Sequence, residues 1–170
     1  RSRTNIDLPG LQKELLKEIK KVNKNIVLVV MSGRPLDLTW EDENIPAIVQ
    51  AWQLGSRSGD AIAQVLYGDY NPSGKLTMSF PRNVGQVPVY YNFKNTGRPS
   101  TSIEQVTNSG YADVENSPLY SFGYGLSYTN FSYSDLKISS DSMTKNSKIN
   151  ASVTVSNTGR FKGEEVVQLY

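Results

Sequence analysis

A glycine-rich stretch followed by lysine is the first pattern here that could carry chemistry, because such stretches bind nucleotide phosphates. The stretch is GDYNPSGKLTMSF, from Gly68 to Phe80. A phosphate loop has four residues between its first glycine and its Gly-Lys pair, then Ser or Thr. Here five residues separate Gly68 from Gly74, and Lys75 is followed by Leu76. The spacing disfavours a nucleotide site, and nucleotide binding is the weakest of three hypotheses for this chain.

Carboxylates are the next groups to consider, because the sequence contains no histidine and no cysteine. Catalytic triads, cysteine nucleophiles and the usual zinc sites are thereby excluded, and we predict no metal and no cofactor. Acidic residues cluster in three places: Glu41–Glu43, Asp113 with Glu115, and Glu164 with Glu165. A capped, solvated turn explains the first cluster, and solvated surface explains the others. We assign catalysis to none of them.

The charge and hydropathy of the chain exclude two classes of partner. A net charge of +2 is too small to predict nucleic-acid binding. The apolar run from Asn25 to Met31 is far shorter than the roughly 20 residues that span a membrane. We therefore predict neither a nucleic-acid nor a membrane partner.

The elements that must position any site alternate between helix and strand. Asp7 is a plausible N-cap for a helix whose apolar residues recur with helical spacing at Leu8, Leu11, Leu15, Ile19 and Val22. The further predicted elements are a strand buried on both faces (Ile26 to Met31), a second strand (Ala47 to Trp52), a helix (Gly59 to Tyr67) and a strand (Leu76 to Phe80). This order predicts an α/β fold, a mostly parallel sheet sandwiched by helices. Asn-Pro-Ser-Gly is then a helix-to-strand turn, in which Gly74 supplies a backbone position that other residues resist.

The pattern of apolar and polar residues changes after Pro81. Residues 82–118 show little periodicity, and an irregular segment of that length is usually functional or mobile. The stretch KINASVTVSN then alternates apolar and polar residues, and GEEVVQLY is predicted to begin another strand. These are the first strands of an antiparallel β-sandwich. Since such a sandwich takes about 100 residues, we expect residues 130–170 to be an incomplete domain.

Several long strings together resemble one known family. They are VLVVMSGRPLDL, the run from Ala47 to Asn92, NTGRP, and LYSFGYGLSYTNFSYSDLKI, in this order. The chain resembles the C-terminal half of family 3 glycoside hydrolases of the bacterial periplasmic β-glucosidase type. The resemblance implies that residues 1–118 are the later part of an α/β sandwich domain and 119–129 a junction. It implies that 130–170 begin a fibronectin-III-like domain.

The resemblance also implies an activity. Such enzymes are retaining exo-β-glycosidases that remove terminal β-linked sugars from glycosides or oligosaccharides. The nucleophile is an Asp on an N-terminal barrel domain of the same polypeptide, and the acid/base is a Glu expected just before Arg1. The chain is thus expected to lack both catalytic carboxylates and to be inactive alone. A periplasmic or secreted location is implied, and a homodimer is left open.

Five residues are candidates for contact with the sugar. Arg1 and Arg3 flank the expected acid/base loop, and Tyr90, Tyr91 and Arg98 lie in the long irregular segment. Solvation of the arginines and packing of the tyrosines against a neighbouring domain are the simpler explanations. One departure from the family stands out, since Arg57 occupies a position where the family often has Glu. The alternative function is a non-catalytic module that binds carbohydrate or a partner protein.

Overall fold

The computed structural model describes residues 3–95, 97–98 and 109–170. The chain forms two compact units that interleave along the sequence. The first unit comprises Arg1–Gly59 and Lys75–Tyr124, and the second comprises Asp60–Gly74 and Gly125–Tyr170. The predicted boundary between 118 and 130 stays a prediction.

The first unit contains a small parallel sheet and two helices. Its elements are α1 (Gln12–Val22), β1 (Val27–Val30), α2 (Thr39–Asn44), β2 (Ala47–Gln50) and a 3₁₀ turn at Val84–Gln86. Strands β1 and β2 pair in parallel, with Val27 opposite Ala47 and Val30 opposite Gln50. A parallel pair requires a crossover, and the segment containing α2 supplies it. The α/β character predicted from the sequence is therefore confirmed.

Two local predictions for this unit were wrong. The first helix begins at Gln12 rather than near Leu8, and Asp7 does not cap it. Gly10 adopts a φ of 61°, a left-handed conformation that interrupts a helix. Strand β1 is fully buried only at Val30, whereas Val27 is 49% exposed, so it is not covered on both faces as expected.

The segment Leu76 to Phe80, which was predicted to be a strand, makes backbone hydrogen bonds at its two ends and is irregular between them. The Leu76 N–H donates to the Tyr124 carbonyl at 2.7 Å, and the Phe80 N–H donates to the Tyr120 carbonyl at 2.8 Å. Only Phe80 forms a β-bridge, and it runs antiparallel to Tyr120. This segment joins the core rather than the parallel sheet. The core comprises Val30, Leu36, Leu38 and Phe80, with Trp52 and Tyr120 packed edge-on against the Phe80 ring.

The second unit contains most of α3 (Ser58–Tyr67) and an antiparallel pair, β3 (Phe131–Ile138) and β4 (Ala151–Asn157). The alternation predicted for β4 is confirmed, since Val153 and Val155 are half-buried and their neighbours are exposed. A bulge lies between Ser134 and Lys137, where Asp135 adopts a φ of 53°. The predicted strand in GEEVVQLY is wrong, because a strand needs a partner and the described residues pair none with it.

The turn between Gly68 and Gly74 also differs from expectation in one respect. The left-handed glycine is Gly68, with a φ of 82°, and not Gly74. An added Cβ at Gly74 would meet open space. The conformational requirement for glycine therefore lies where α3 ends, a common place for it.

Candidate functional site

The segment Arg3–Asp7, called the arm below, lies against the loop that follows β1. The Asp37 N–H donates to the Ile6 carbonyl at 3.0 Å, and the Arg34 guanidinium donates through Nη2 to the Asn5 carbonyl at 3.1 Å. Ile6 is buried, and Leu8, just beyond the arm, packs against the core cluster. The arm is thus held near the carboxyl end of the parallel sheet, the edge where α/β proteins place their ligands.

A chain of hydrogen bonds orders the ends of both strands. The Gln50 amide donates through Nε2 to Ser32 Oγ at 3.2 Å, and the Ser32 hydroxyl donates to the Arg34 carbonyl at 2.9 Å. Gln50 Oε1 is buried and has no partner among the described residues. Just past the end of β2, Trp52 has a φ of 51°, a conformation uncommon outside glycine. The end of β2 therefore carries both an unsatisfied acceptor and local backbone strain.

A cavity of about 680 Å³ opens beside the arm. Its floor is apolar and includes Leu8, Leu16 and Leu28, and its polar rim consists of Arg3, Asn5, Asp7, Gln12, Ser32, Arg34 and Gln53. Guanidinium and amide groups can donate hydrogen bonds to hydroxyl-rich ligands. The lining contains a single carboxylate, Asp7, whereas hydrolysis of a glycoside by retention needs two. The cavity can orient a ligand or a neighbouring loop, but its lining alone cannot perform that reaction.

The acidic cluster on α2 is solvated at Asp42 and Glu43, as the sequence predicted, but not at Glu41. The Glu41 side chain is 0% exposed, and neither of its oxygens has a hydrogen-bond partner among the described residues. The Lys13 ammonium approaches to 3.8 Å, too far for a hydrogen bond. Burial raises the pKa of the Glu41 carboxyl above its usual range, and the backbone N–H of Glu41 and the Lys13 charge only partly oppose this. Sealed from solvent, Glu41 cannot exchange protons with a substrate.

The next carboxylate on α2 has a clear partner. The Tyr120 hydroxyl donates to Asp42 Oδ1 at 2.5 Å. Burial raises the pKa of Tyr120, and the Asp42 carboxylate raises it further by accepting this bond. Tyr120 therefore stays protonated at physiological pH and ties the segment after residue 118 to α2.

Three further residues of the acidic clusters, Glu115, Glu164 and Glu165, make structural contacts. Glu115 pairs with Arg82 at 2.9 Å. In the second unit, the Tyr70 hydroxyl donates to Glu164 at 2.9 Å and the Tyr133 hydroxyl donates to Glu165 at 3.0 Å. Across the described residues, no group of three or more Asp or Glu side chains is arranged to hold a metal ion. In the ranges 3–95, 97–98 and 109–170, no helix has the length and apolarity needed to cross a membrane.

The candidate sugar-contact residues lie in different places. Arg3 lines the cavity, and Arg1 lies outside the described residues. The Tyr91 ring stacks on Phe122 with centroids 4.6 Å apart, and it stays 63% exposed. Tyr90 and Arg98 are exposed, and the Arg98 carbonyl accepts from the Ser109 N–H at 2.8 Å. Of the described candidates, only Arg3 contributes to the cavity's lining.

Of the polar residues on the cavity rim, sequence reasoning named only Arg3 as a site candidate, and those it missed include Arg34 and Gln53. Both follow a strand of the parallel sheet, Arg34 after β1 and Gln53 after β2. Gly33, the residue before Arg34, approaches the Gln53 side chain closely, since a Cβ there would meet Gln53 Nε2 at 3.1 Å. The carboxyl-edge rule for α/β sheets was the signal that could have found them.

Comparison with protein-family models now adds a decisive observation. Residues 1–128 match the model of the glycosyl hydrolase family 3 C-terminal domain. The chain belongs to glycosyl hydrolase family 3. The resemblance inferred from the sequence strings is confirmed.

Named relatives place the chain within this family. It is 52% identical over 170 residues to a periplasmic beta-glucosidase of Salmonella typhimurium, covering 99% of this chain and 22% of the relative. It is 45% identical over 172 residues to a beta-xylosidase of Formosa agariphila, covering 99% of this chain and 22% of that protein. The chain thus spans about a fifth of the length of these family 3 relatives.

Solved structures agree with the family assignment. A beta-glucosidase from Listeria innocua, in complex with gluconolactone, superposes with a TM-score of 0.72 at 43% identity, covering 79% of this chain and 19% of that one. A b-glucosidase from Erythrobacter marinus gives a TM-score of 0.79 at 39% identity, covering 93% of this chain and 20% of the other. The helices, the parallel pair and the antiparallel pair therefore match family 3 neighbours.

Proposed function

We propose that the chain is part of a retaining exo-β-glycosidase of β-glucosidase type, which removes terminal β-linked sugars from glycosides or oligosaccharides. The observation that carries this proposal is similarity over 99% of the chain to proteins named as a beta-glucosidase and a beta-xylosidase. Both names describe release of a sugar from a β-linkage. The substrate class is therefore a β-glucoside or a β-xyloside.

Neither catalytic carboxylate is proposed to lie in this chain. In a retaining mechanism one carboxylate attacks the anomeric carbon, and the other protonates the leaving oxygen and then activates water, the two being about 5–5.5 Å apart. We assign the nucleophile to an Asp of an N-terminal barrel domain and the acid/base to a Glu just before Arg1. The single carboxylate of the cavity and the sealed Glu41 support this assignment.

The chain's own contribution is to support the acid/base side of the active site. Arg3 and Arg1 are proposed to border the sugar or the acid/base group, as guanidinium groups in the arm. Tyr90, Tyr91 and Arg98 are proposed to border the entrance, and the exposed Tyr91 ring supports this role because sugars stack on aromatic faces. An Arg3→Ala substitution in the full-length enzyme is expected to lower kcat/KM.

A domain assignment, a location and an oligomeric state accompany this function as proposals. Strands β3 and β4 are proposed to begin a fibronectin-III-like domain, consistent with their antiparallel pairing. The enzyme is proposed to act in the periplasm or outside the cell, because a relative at 52% identity is named as periplasmic. A homodimer stays a prediction that sedimentation of the full-length enzyme can test.

The main test compares two proteins on p-nitrophenyl β-glucoside and β-xyloside. The full-length enzyme is expected to hydrolyse at least one of them with retention of anomeric configuration, followed by NMR of the released sugar. The 170-residue chain is expected to release no nitrophenol above the uncatalysed rate. Clear hydrolysis by the short chain would refute the placement of both carboxylates. An inactive, folded full-length protein would instead refute the glycosidase assignment.

The second candidate is a non-catalytic module that binds carbohydrate, and the stacked and exposed Tyr91 ring favours it. Titration of the 170-residue chain with cellobiose, followed by tyrosine and tryptophan fluorescence, tests this function. A saturable change that is lost in Tyr91→Ala would support it. If cellobiose causes no change in fluorescence, the binding-module function is rejected and the hydrolase proposal remains.

A further inference from the structure

The arm is irregular chain that is held in place by groups outside it. It belongs to no helix or strand, and two donors from the loop after β1 fix consecutive carbonyls of the arm. These are the Asp37 N–H to Ile6 and the Arg34 guanidinium to Asn5, at 3.0 and 3.1 Å. The first is a backbone donor that any residue except proline could supply. The second depends on the identity of the side chain at position 34.

The backbone of Arg34 is restricted by its neighbours. Its carbonyl accepts from Ser32 Oγ, which in turn accepts from Gln50 of the neighbouring strand. Pro35 follows and restricts the backbone of Arg34 to extended conformations. Arg34 is half-buried as a residue and its bond to Asn5 is exposed, but its planar array of donors loses little freedom in forming a directed bond. The restricted backbone of Arg34 therefore places its guanidinium where it can donate to the Asn5 carbonyl of the arm.

We propose that Arg34 is a positioning residue for the acid/base side of the active site, an inference that rests on the proposed function. Arg3 lies two residues before Asn5, so at most about 7 Å of chain separates it from the anchored carbonyl. The acid/base Glu is proposed to precede Arg1 on the same stretch of chain. Anchoring Asn5 thus limits how far the arm and the segment entering it can move.

The expected consequence concerns proton transfer rather than sugar binding. Arg34 forms and breaks no bond in the reaction. If the arm shifts, the acid is displaced from the glycosidic oxygen, and a misplacement of 1 Å can cost about 100-fold in rate. Leaving groups that are weak bases need little protonation, whereas strongly basic ones depend on the general acid. Loss of the anchor should therefore slow the two kinds of substrate unequally.

The experiment measures kcat/KM of the full-length enzyme on aryl β-glucosides whose leaving groups range from 2,4-dinitrophenol to phenol. For Arg34→Met we expect a fall of about 10- to 100-fold on the phenyl glucoside and of less than about threefold on the dinitrophenyl glucoside. Arg34→Lys keeps a donor and is expected to recover part of the loss. Because kcat/KM reports steps up to formation of the glycosyl-enzyme, later hydrolysis does not affect the comparison.

Arg82 provides a matched control in the same unit. Its guanidinium also donates to a backbone carbonyl, that of Ser117, at 3.1 Å. Arg82→Met removes this bond and the ion pair with Glu115, neither of which involves a residue of the arm, and should not change the dependence on leaving group. If Arg34→Met slows all substrates equally, or none, the positioning role is wrong. If the wild-type enzyme hydrolyses no glycoside, the proposed function itself has failed.

Discussion

At the scale of single residues, Glu41 shows how neighbours decide what a carboxyl group can do. It is fully buried on α2, and Lys13 lies 3.8 Å away. A charge taken from water without hydrogen bonds is costly, because Coulomb attraction at this distance seldom repays desolvation. Asp42, the next residue, is exposed and accepts a hydrogen bond from Tyr120. Adjacent carboxylates on one helix therefore have opposite environments.

We predict that Glu41→Met raises the free energy of unfolding at neutral pH by about 1–3 kcal/mol, since an apolar side chain of similar volume carries no desolvation penalty. The pKa of Glu41 is higher in the folded than in the unfolded chain. The folded wild type therefore binds an extra proton between the two pKa values, and its stability falls as the pH rises through that window. The advantage of the variant should accordingly shrink as the pH is lowered towards 4.5, the ordinary value.

Urea unfolding at a series of pH values measures this effect. Glu18→Met is the matched control, because Glu18 on α1 is 67% exposed and pairs with Lys21 only at the surface. The control should change stability by less than about 0.5 kcal/mol at every pH. A Glu41→Met variant that is less stable than the wild type, at a cost that does not vary with pH, would contradict the prediction.

At the scale of elements, a buried amide and one glycine organise the second unit. The Asn71 side chain donates to Ser127 Oγ at 2.9 Å and accepts from the Tyr128 N–H at 2.6 Å. It thereby joins the turn after α3 to the segment entering β3. At the same end of the pair, just after β4, Gly159 packs against Thr129 and Asn130, where a Cβ would meet the Asn130 nitrogen at 2.8 Å. These contacts tie the hairpin of β3 and β4 to its surroundings in the unit.

Gly159→Ala is predicted to lower the free energy of unfolding by about 1–3 kcal/mol, because the added methyl overlaps the Thr129 hydroxyl and a backbone nitrogen that cannot move freely. Gly74→Ala is the control, since its Cβ would meet open space. That substitution is expected to be neutral or to stabilise by up to about 1 kcal/mol, by reducing the entropy of the unfolded chain. Thermal unfolding of both variants decides the matter. Equal melting temperatures for the two would show that the close approach at Gly159 costs nothing.

At the scale of the whole molecule, much apolar surface is uncovered. The apolar face of α1 is formed by Leu11, Leu15, Ile19 and Val22, which are 78%, 60%, 39% and 87% exposed. Monomeric proteins rarely leave large contiguous apolar patches in water. The helical periodicity of this face was correctly predicted, but periodicity does not decide whether the face is covered, because burial needs a partner surface.

We predict that the 170-residue chain self-associates at micromolar concentration and that Leu15→Lys with Ile19→Lys reduces the association. The added charges would have to be desolvated in any contact that covers this face. Light scattering over a concentration series measures the change. Lys17→Ala with Lys20→Ala is the control, because these side chains lie over the Trp40 ring, at 5.5 and 5.8 Å, and are not part of the apolar face. A strictly monomeric wild type would contradict the prediction.

Local periodicity predicted the elements whose form depends on nearby residues. Helix α3 was expected at Gly59 to Tyr67 and begins one residue earlier, at Ser58. The strands β1 and β2 were located correctly but are shorter than expected, four residues each. The segment Leu76 to Phe80 has an alternating pattern, yet it pairs only at its ends. Strand pairing joins residues that are far apart in the sequence. An alternating pattern therefore predicts a tendency to form a strand, but not which residues will be hydrogen-bonded to it.

The candidate site was harder to predict for the same reason. Arg3 was named from its position beside the expected acid/base loop, and it lines the cavity. Arg34 and Gln53 were missed, because nothing in their local pattern distinguishes them from loop residues. Tyr91 was named as a candidate for sugar contact or for packing against a neighbouring domain, and nothing in its local pattern indicated that its ring stacks on Phe122 of the same unit.

The sequence by itself determined the family and the kinds of element, because long ordered strings and apolar periodicity are local properties of the chain. It also determined which chemistries are absent from this segment, since a chain without His or Cys cannot supply their nucleophiles or ligands. Only the tertiary structure decided that Glu41 is sealed from water while Asp42 is not, and that Arg34 anchors the arm. Burial and long-range hydrogen bonds join residues far apart in sequence, and their free energies depend on the neighbours that folding supplies.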